Sequence, residues 1–135
     1  MVLGRAAEGF SGLETAMRLS PRDPNRGSWE YDICHLHNHL AQWEQAIQWC
    51  RKAIVTMPED ALWPNLDIAM AYAWTGRITE AKQAVAEVLK INPKFTVQIW
   101  NALKYTDNPT FNREYARLAE GLRKAGLPEG KERMD

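Results

Sequence analysis

Ala41-Gln42-Trp43-Glu44-Gln45-Ala46 and Thr75-Gly76-Arg77-Ile78-Thr79-Glu80-Ala81 are two copies of one helix-opening pattern. Ala46 and Ala81 lie 35 residues apart, and so do Pro58 and Pro93, the prolines that close the two segments. A third, partial copy runs from Gly4-Arg5-Ala6-Ala7-Glu8-Gly9 to Pro21. A fixed period of this length is typical of stacked helical hairpins, in which each repeat buries its apolar face against its neighbours. The sequence therefore predicts an all-helical repeat fold with a long concave surface.

The spacing of apolar residues supports this prediction along the whole chain. Residues 43–57 follow the i, i+3, i+4, i+7 pattern over four turns, which makes this segment the clearest helix. Residues 61–74 are apolar on two sides, and this predicts a helix enclosed by neighbours or covered by a ligand. Prolines and glycines mark the ends of the segments. The predicted helices are 4–19, 28–40, 43–57, 61–74, 78–91, 95–105 and 109–125.

The same boundaries divide the chain into repeats within one domain. At 135 residues the chain has the length of a single domain. The prediction assigns a half repeat to 1–23, full repeats to 26–60 and 61–94, a degenerate capping pair of helices to 95–127, and a charged, frayed tail to 128–135.

The repeat pattern resembles the tetratricopeptide repeat (TPR) family over about residues 4–93. Alanines at 46, 53 and 81 let paired helices approach closely, Gly76 suits a left-handed turn, and a proline ends each second helix. Cys34 and Ala41 depart from the family pattern, since a small residue and a glycine are usual at those positions. The resemblance implies a right-handed superhelix of antiparallel hairpins whose first helices line a concave groove.

A finer resemblance is carried by four stretches that include the linkers between the helices. They are similar to the C-terminal repeat regions attached to class III adenylate cyclase domains or to winged-helix regulators, especially in rhizobia-like proteobacteria. This resemblance implies the interaction or regulatory module of a bacterial signalling protein, and it carries no catalytic residues. The stretches are Ser20-Pro21-Arg22-Asp23-Pro24-Asn25-Arg26, Asn92-Pro93-Lys94-Phe95-Thr96, Asp107-Asn108-Pro109 and residues 120–128.

Composition excludes several classes of partner. Seventeen basic residues balance seventeen acidic ones, and a neutral chain without a basic run does not favour nucleic acid or an anionic membrane. No apolar stretch approaches the ~20 residues of a membrane span. Cys34 and Cys50 are too few for a disulfide framework, so the prediction is a cytoplasmic protein. They lie in the two helices of one hairpin, and small buried thiols are the favoured interpretation over a redox pair.

The predicted groove carries the most pointed functional signal. Large aromatic side chains accompanied by a few amides are typical of peptide-binding hot spots. The alternative is that the terminal helix covers this stripe or that it packs within the superhelix. The lysine of a carboxylate clamp is absent, because Tyr31 and Leu66 stand where it would be expected. The predicted groove residues are Tyr31, His35, Asn38, His39, Trp63, Leu66, Met70, Trp74 and Trp100.

Catalysis and cofactors receive no support from the sequence. No nucleophile–base spacing and no phosphate-binding glycine loop occurs, and the acids Glu59 and Asp60 are interpreted as loop and cap residues. His35 and His39 share a helix face, but a zinc site needs three or four ligands, so no metal is predicted. The predicted function is a non-catalytic protein-binding scaffold. The alternative is a small-ligand or metal-responsive sensor that uses the histidines and the aromatic groove.

The front of the chain predicts self-association. Residues 4–19 form the second half of a hairpin whose first helix is missing, which leaves an apolar face without its usual cover. We therefore expect either a two-fold homodimer through Phe10, Leu13 and Met17 or a contact of the same face with a preceding domain.

Overall fold

A computed structural model describes residues 25–104 and 108–130. The half repeat, with its predicted helix 4–19 and its self-association residues Phe10, Leu13 and Met17, lies outside the described residues. Six α-helices and one 3-10 turn, with no strand, account for the regular structure of the described part, which confirms the predicted all-helical class. The helices are α1 (Arg26–His39), α2 (Trp43–Thr56), α3 (Leu62–Trp74), α4 (Ile78–Ile91), α5 (Val97–Ala102) and α6 (Pro109–Lys124), with the 3-10 turn at Pro58–Asp60.

The two predicted full repeats turn in the same way. Gln42 N–H donates to the carbonyl of His37 at 2.8 Å, and Arg77 N–H donates to the carbonyl of Tyr72 at 2.8 Å, 35 residues later. The residue before each donor has a positive φ, 56° at Ala41 and 80° at Gly76. The repeat in the sequence is therefore also a repeat in backbone geometry, and Ala41 accepts a left-handed conformation that glycine adopts with less strain.

Helix α3 lies at the centre of the molecule. Ten of its thirteen residues are buried, in one unbroken run from Pro64 to Ala73. It packs against α2 on one side, against α4 on another and against α6 across the predicted concave face. The helix predicted to be enclosed by neighbours is thus enclosed, and Ala46, Ala53 and Ala81 are fully buried where helices approach.

The C-terminal part departs from the prediction in two places. Helix α5 is shorter than the predicted 95–105, because the hydroxyl of Thr96 accepts the N–H of Ile99 at 3.1 Å and starts the helix at Val97. The start of the predicted frayed tail is fixed, since Gln98 N–H donates to the carbonyl of Glu129 at 2.9 Å. The Glu129 carboxylate also pairs with Arg123 at 2.8 Å.

The cysteines correct a further expectation. Cys34 on α1 and Cys50 on α2 form a disulfide, with their Cα atoms 5.3 Å apart, rather than a pair of separate thiols. The antiparallel packing of α1 on α2 brings the two cysteine side chains close enough for their sulfur atoms to bond. Disulfides persist in oxidising compartments, so the two cysteines no longer favour a reducing cytosol. Within the described ranges, no helix combines the length and the apolar character that crossing a membrane requires.

Candidate functional site

Most of the predicted groove is covered in the folded chain. Asn38, His39, Leu66 and Met70 are fully buried, and Trp100 is 3 % exposed. These five residues are therefore interior residues and do not line an open groove in this structure. Helix α6 supplies the cover, as in the alternative that placed the terminal helix over the stripe.

Polar and close apolar contacts hold α6 against the rest of the protein. Trp74 Nε1 donates to the carbonyl of Arg117 at 3.0 Å, and Arg117 Nη2 donates to the carbonyl of His39 at 2.8 Å. Gly121 faces α3 so closely that a Cβ atom there would lie 2.8 Å from Trp74 Nε1 and 3.2 Å from the Cα of Met70. The glycine lets two helix backbones approach, because any side chain would enter this contact.

A buried carboxylate, Asp67 on α3, organises the polar residues under α6. Its side chain is fully buried and accepts hydrogen bonds from Tyr31 Oη at 3.2 Å and from His35 Nδ1 at 2.7 Å. Asn38 Nδ2 donates both to the Asp67 carboxylate at 3.1 Å and to its backbone carbonyl at 2.9 Å. A buried carboxylate with this many donors is satisfied, and it ties three predicted groove residues of α1 to α3.

The two histidines of α1 extend this cluster to α6. His35 Nε2 lies 3.1 Å from His39 Nε2, and His39 Nδ1 lies 2.8 Å from Glu114 Oε1. Aromatic rings surround them, with Phe111 stacked on His39 at 5.4 Å between ring centroids and Trp100 edge-on to His35 at 6.4 Å. Four side chains from three helices thus form one continuous path: Asp67, His35, His39 and Glu114.

The environment shifts the pKa values of these groups apart. Burial alone would lower the pKa of His35, but the charge and hydrogen bond of Asp67 raise it above its ordinary value. Burial, the neighbouring positive charge of His35 and Arg117 lower the pKa of His39 to about 3. Burial raises the pKa of the Glu114 carboxyl, against the opposing effect of Arg117 and Arg113. The two histidine pKa values thus shift in opposite directions, so that His35 keeps its proton to a higher pH than His39 does.

A metal site would need more ligands than this cluster offers. Among residues 25–104 and 108–130, no group of three or more histidine, cysteine or acidic side chains converges on one point. The two Nδ1 atoms are occupied by carboxylates, which leaves only the paired Nε2 atoms.

A separate, open cleft lies beside the covered stripe. It has a volume of about 490 Å³ and is formed by α1, the 3-10 turn, the start of α3 and the end of α4. Trp63 and Ile91 are its exposed apolar residues, at 39 % and 49 % exposure. The Trp63 ring stands edge-on to Phe95 at 6.1 Å between centroids, which fixes its orientation. The cleft is lined by Ser28, Tyr31, Asp32, Met57, Glu59, Asp60, Leu62, Trp63, Pro64 and Ile91.

Carboxylates make this cleft acidic. Asp32, Glu59 and Asp60 line it without a basic residue among the lining side chains. No ion pair joins Glu59 or Asp60 to another of the residues that the structure describes. Burial raises the pKa of Asp32, although the positive charge of His35 acts in the opposite direction. Of the predicted groove residues, only Tyr31 and Trp63 meet in this cleft.

Trp74 has a structural position at the other end of the stripe. Its ring stacks on Trp43 at 5.9 Å between centroids, and the ammonium of Lys124 lies 5.1 Å from its centroid. With its indole N–H bonded to α6, Trp74 is part of the contact that holds the terminal helix.

Sequence reasoning missed three residues of the buried cluster: Asp67, Glu114 and Arg117. Asp67 had a detectable signal, because it is the single charged residue within the apolar helix α3. Glu114 and Arg117 had none, since they lie on the polar face of a strongly amphipathic helix, where charges are ordinarily solvated.

No family model matches the chain, and no curated protein matches it. The function is therefore inferred from the residues and their geometry.

Proposed function

We propose that this chain is a non-catalytic protein-interaction module, and that its acidic cleft binds a peptide segment combining basic and apolar side chains. The observation that carries the proposal is the pairing of the exposed Trp63 ring with three carboxylates in one open cleft. Exposed aromatic rings bind cations through their faces, and carboxylates add charge complementarity.

The composition of the cleft favours a peptide over an acidic or purely apolar partner. Aromatic anchors supply most of the binding free energy in protein interfaces, while surrounding charges select the partner and accelerate association. An arginine or lysine would lie over Trp63 or Tyr31 with its charge towards Asp32, Glu59 or Asp60. A neighbouring apolar side chain of the peptide would cover Ile91 and Leu62.

The proposal extends to architecture and context. We propose that the hairpins form a TPR-like right-handed superhelix, supported by the equivalent hydrogen bonds and positive φ angles in the turns of the two repeats. The resemblance of the linkers to cyclase-associated repeat regions supports a role as the regulatory module of a signalling protein. In this proposal, the partner binds in the acidic cleft, beside the predicted concave groove. Helix α6 fills that groove, where a peptide would otherwise bind.

Calorimetric titration with two matched peptides tests the binding site. One peptide alternates arginine with leucine, and the other replaces each arginine with glutamate. We expect only the basic peptide to bind. Trp63→Ala should weaken this binding by about 2 kcal/mol, or roughly thirtyfold, if Trp63 is an anchor.

Trp49→Ala is the matched control, because Trp49 is a partly buried tryptophan on α2 that does not line the cleft. Equal binding of both peptides would contradict the proposal, as would a Trp63→Ala variant that binds normally while it loses thermal stability. Competition by a peptide of residues 4–22 would identify the chain's own front segment as the occupant instead of a foreign partner.

A further inference from the structure

The path from Asp67 to Glu114 contains three short contacts between groups that all have lone pairs. The distances are 2.7 Å from Asp67 Oδ2 to His35 Nδ1, 3.1 Å between the two Nε2 atoms, and 2.8 Å from His39 Nδ1 to Glu114 Oε1. Each contact needs one proton between its two atoms, because two lone pairs at these distances repel each other.

Filling all three contacts requires one proton more than two ionised carboxylates and two neutral imidazoles carry. Two ionised carboxylates and two neutral imidazoles carry only two protons, one on each ring. Those two protons fill the contacts with Asp67 and Glu114, and the Nε2–Nε2 contact is left without one. We propose that His35 and His39 share a single additional proton across their Nε2 atoms, and that this proton holds α6 onto α1 and α3. Docking of α6 is then strongest with one shared proton and weakens when the pair loses it or gains a second.

Charges on every helix around the pair fit a single additional proton. On α1, Tyr31 and Asp32 lie near His35, and on α3 Asp67 accepts its ring proton. On α6, Arg117 and Arg113 act on Glu114, and Arg117 Nη2 also donates to the backbone carbonyl of His39. With three protons, the four-residue path has a net charge of −1, which Arg117 balances.

A change of one proton in either direction disrupts this arrangement. Without the third proton, the path has a charge of −2 and the two Nε2 lone pairs face each other. With a fourth proton on the pair, two imidazolium rings meet at 3.1 Å, where like charges repel strongly. Both changes make the Nε2–Nε2 contact repulsive, and a His39 ring that turns away from it also moves the Nδ1 atom that contacts Glu114 on α6.

The sign of the pH dependence follows from proton counts in the folded and unfolded chains. In the unfolded chain, both histidines titrate near the ordinary pKa of about 6.5. In the folded chain, the pKa of His35 is raised by Asp67, while that of His39 is lowered to about 3. Below pH ~6.5 the unfolded chain binds one proton more than the folded chain, and stability rises with pH. Above pH ~6.5 it binds one fewer, and stability falls until the raised pKa of His35 is passed.

The full chain unfolded in urea at pH values from 5 to 9 tests this proposal. Near-ultraviolet circular dichroism follows the aromatic cluster around the pair. We expect a maximum in stability near pH 6.5, with the folding equilibrium constant falling by up to ~10-fold per pH unit on each side. His37→Gln is the matched control, because the His37 ring is bonded to Gln42 and should leave the maximum in place.

Two variants should each remove one side of this maximum. His39→Gln leaves His35 beside Asp67, so stability should still fall at high pH but no longer at low pH. His35→Gln leaves the buried His39, so stability should still fall at low pH but no longer at high pH. A wild-type profile without a maximum would overturn the proposal, as would a His37→Gln variant that loses it.

Nitrogen-15 spectra of the wild-type histidine rings give a second measurement that does not depend on the folding of any variant. At pH 6.5 the two rings should together carry three N–H protons and should not titrate independently. Two separate titrations with ordinary pKa values would overturn the proposal. So would stoichiometric zinc binding that removes the third proton at micromolar metal, because the pair would then be a metal site.

Discussion

Replacing Gly121 with alanine tests the contact through which α6 covers the core. The new Cβ atom would lie 2.8 Å from Trp74 Nε1, 3.0 Å from Trp74 Cδ1 and 3.2 Å from the backbone of Met70. Neither neighbour can easily move, since the indole N–H is bonded to Arg117 and the Met70 contact is with helix backbone. The substitution therefore separates α6 from α3 or displaces Trp74.

The magnitude follows from three contributions. Overpacking a core contact costs about 2 kcal/mol, and losing the Trp74–Arg117 hydrogen bond costs about 1 kcal/mol. Alanine in place of a helical glycine stabilises the folded protein by about 1 kcal/mol through its higher helix propensity, which offsets part of this loss. The net expectation is a loss of about 2 kcal/mol, which lowers the urea midpoint by about 1 M when the slope is near 2 kcal/mol per molar.

Urea unfolding followed by tryptophan fluorescence measures this loss, and a double-mutant cycle locates it. In a Trp74→Phe background a smaller phenyl ring without an N–H replaces the indole. Gly121→Ala should then cost less free energy of unfolding, with a coupling energy of about 1 kcal/mol between the two positions. If Gly121→Ala instead stabilises the protein by about 1 kcal/mol, as at an exposed helical glycine, then α6 does not pack on α3 as described and the reasoning is refuted.

Further predictions concern the turns of the two hairpins and the disulfide of the first one. Ala41→Gly should stabilise the protein by about 0.5–1 kcal/mol in thermal unfolding, because it relieves a left-handed alanine at φ 56°. Gly76→Ala should destabilise it by about 1 kcal/mol. A loss of stability in the Ala41→Gly variant would contradict the turn geometry. Reduction of the Cys34–Cys50 disulfide, which links residues 16 positions apart, should lower the free energy of unfolding by about 3 kcal/mol. A Cys34→Ala, Cys50→Ala double variant should not respond to reductant, and an unchanged midpoint in the reduced wild type would argue against the disulfide.

The fold was predictable from the sequence to the extent that local periodicity determines it. The predicted helix 78–91 coincides with α4, and the other predicted boundaries from residue 43 to 91 differ from the structure by at most one residue. These boundaries depend on proline, glycine and apolar spacing, which act over a few residues. The start of α5 depends instead on the capping hydroxyl of Thr96, which the spacing of apolar residues over 95–105 does not indicate.

The site was predictable only in part, because its geometry depends on contacts between distant residues. The position of α6 determines whether predicted groove residues such as Leu66 and Met70 are exposed, and the local sequence around them does not indicate that cover. Nothing local to His39 indicates that Glu114 bonds its ring across 75 residues of sequence. The disulfide had a clearer signal, because the predicted hairpin already brings Cys34 and Cys50 into facing helices. Only the expectation of two separate thiols was wrong.

The position of α6 at the end of the folded domain has a consequence during synthesis. Domains begin to fold from the N-terminus while the ribosome is still adding residues, at about 5–20 residues per second. Between the completion of Met70 and that of Lys124, the nascent chain therefore spends roughly 3–11 s with α3 made and its cover absent. Leu66 and Met70, which end fully buried, face water or a chaperone in that interval. A stalled or shortened chain that lacks α6 would keep this apolar surface, so quality control can recognise an unfinished molecule by its middle helix.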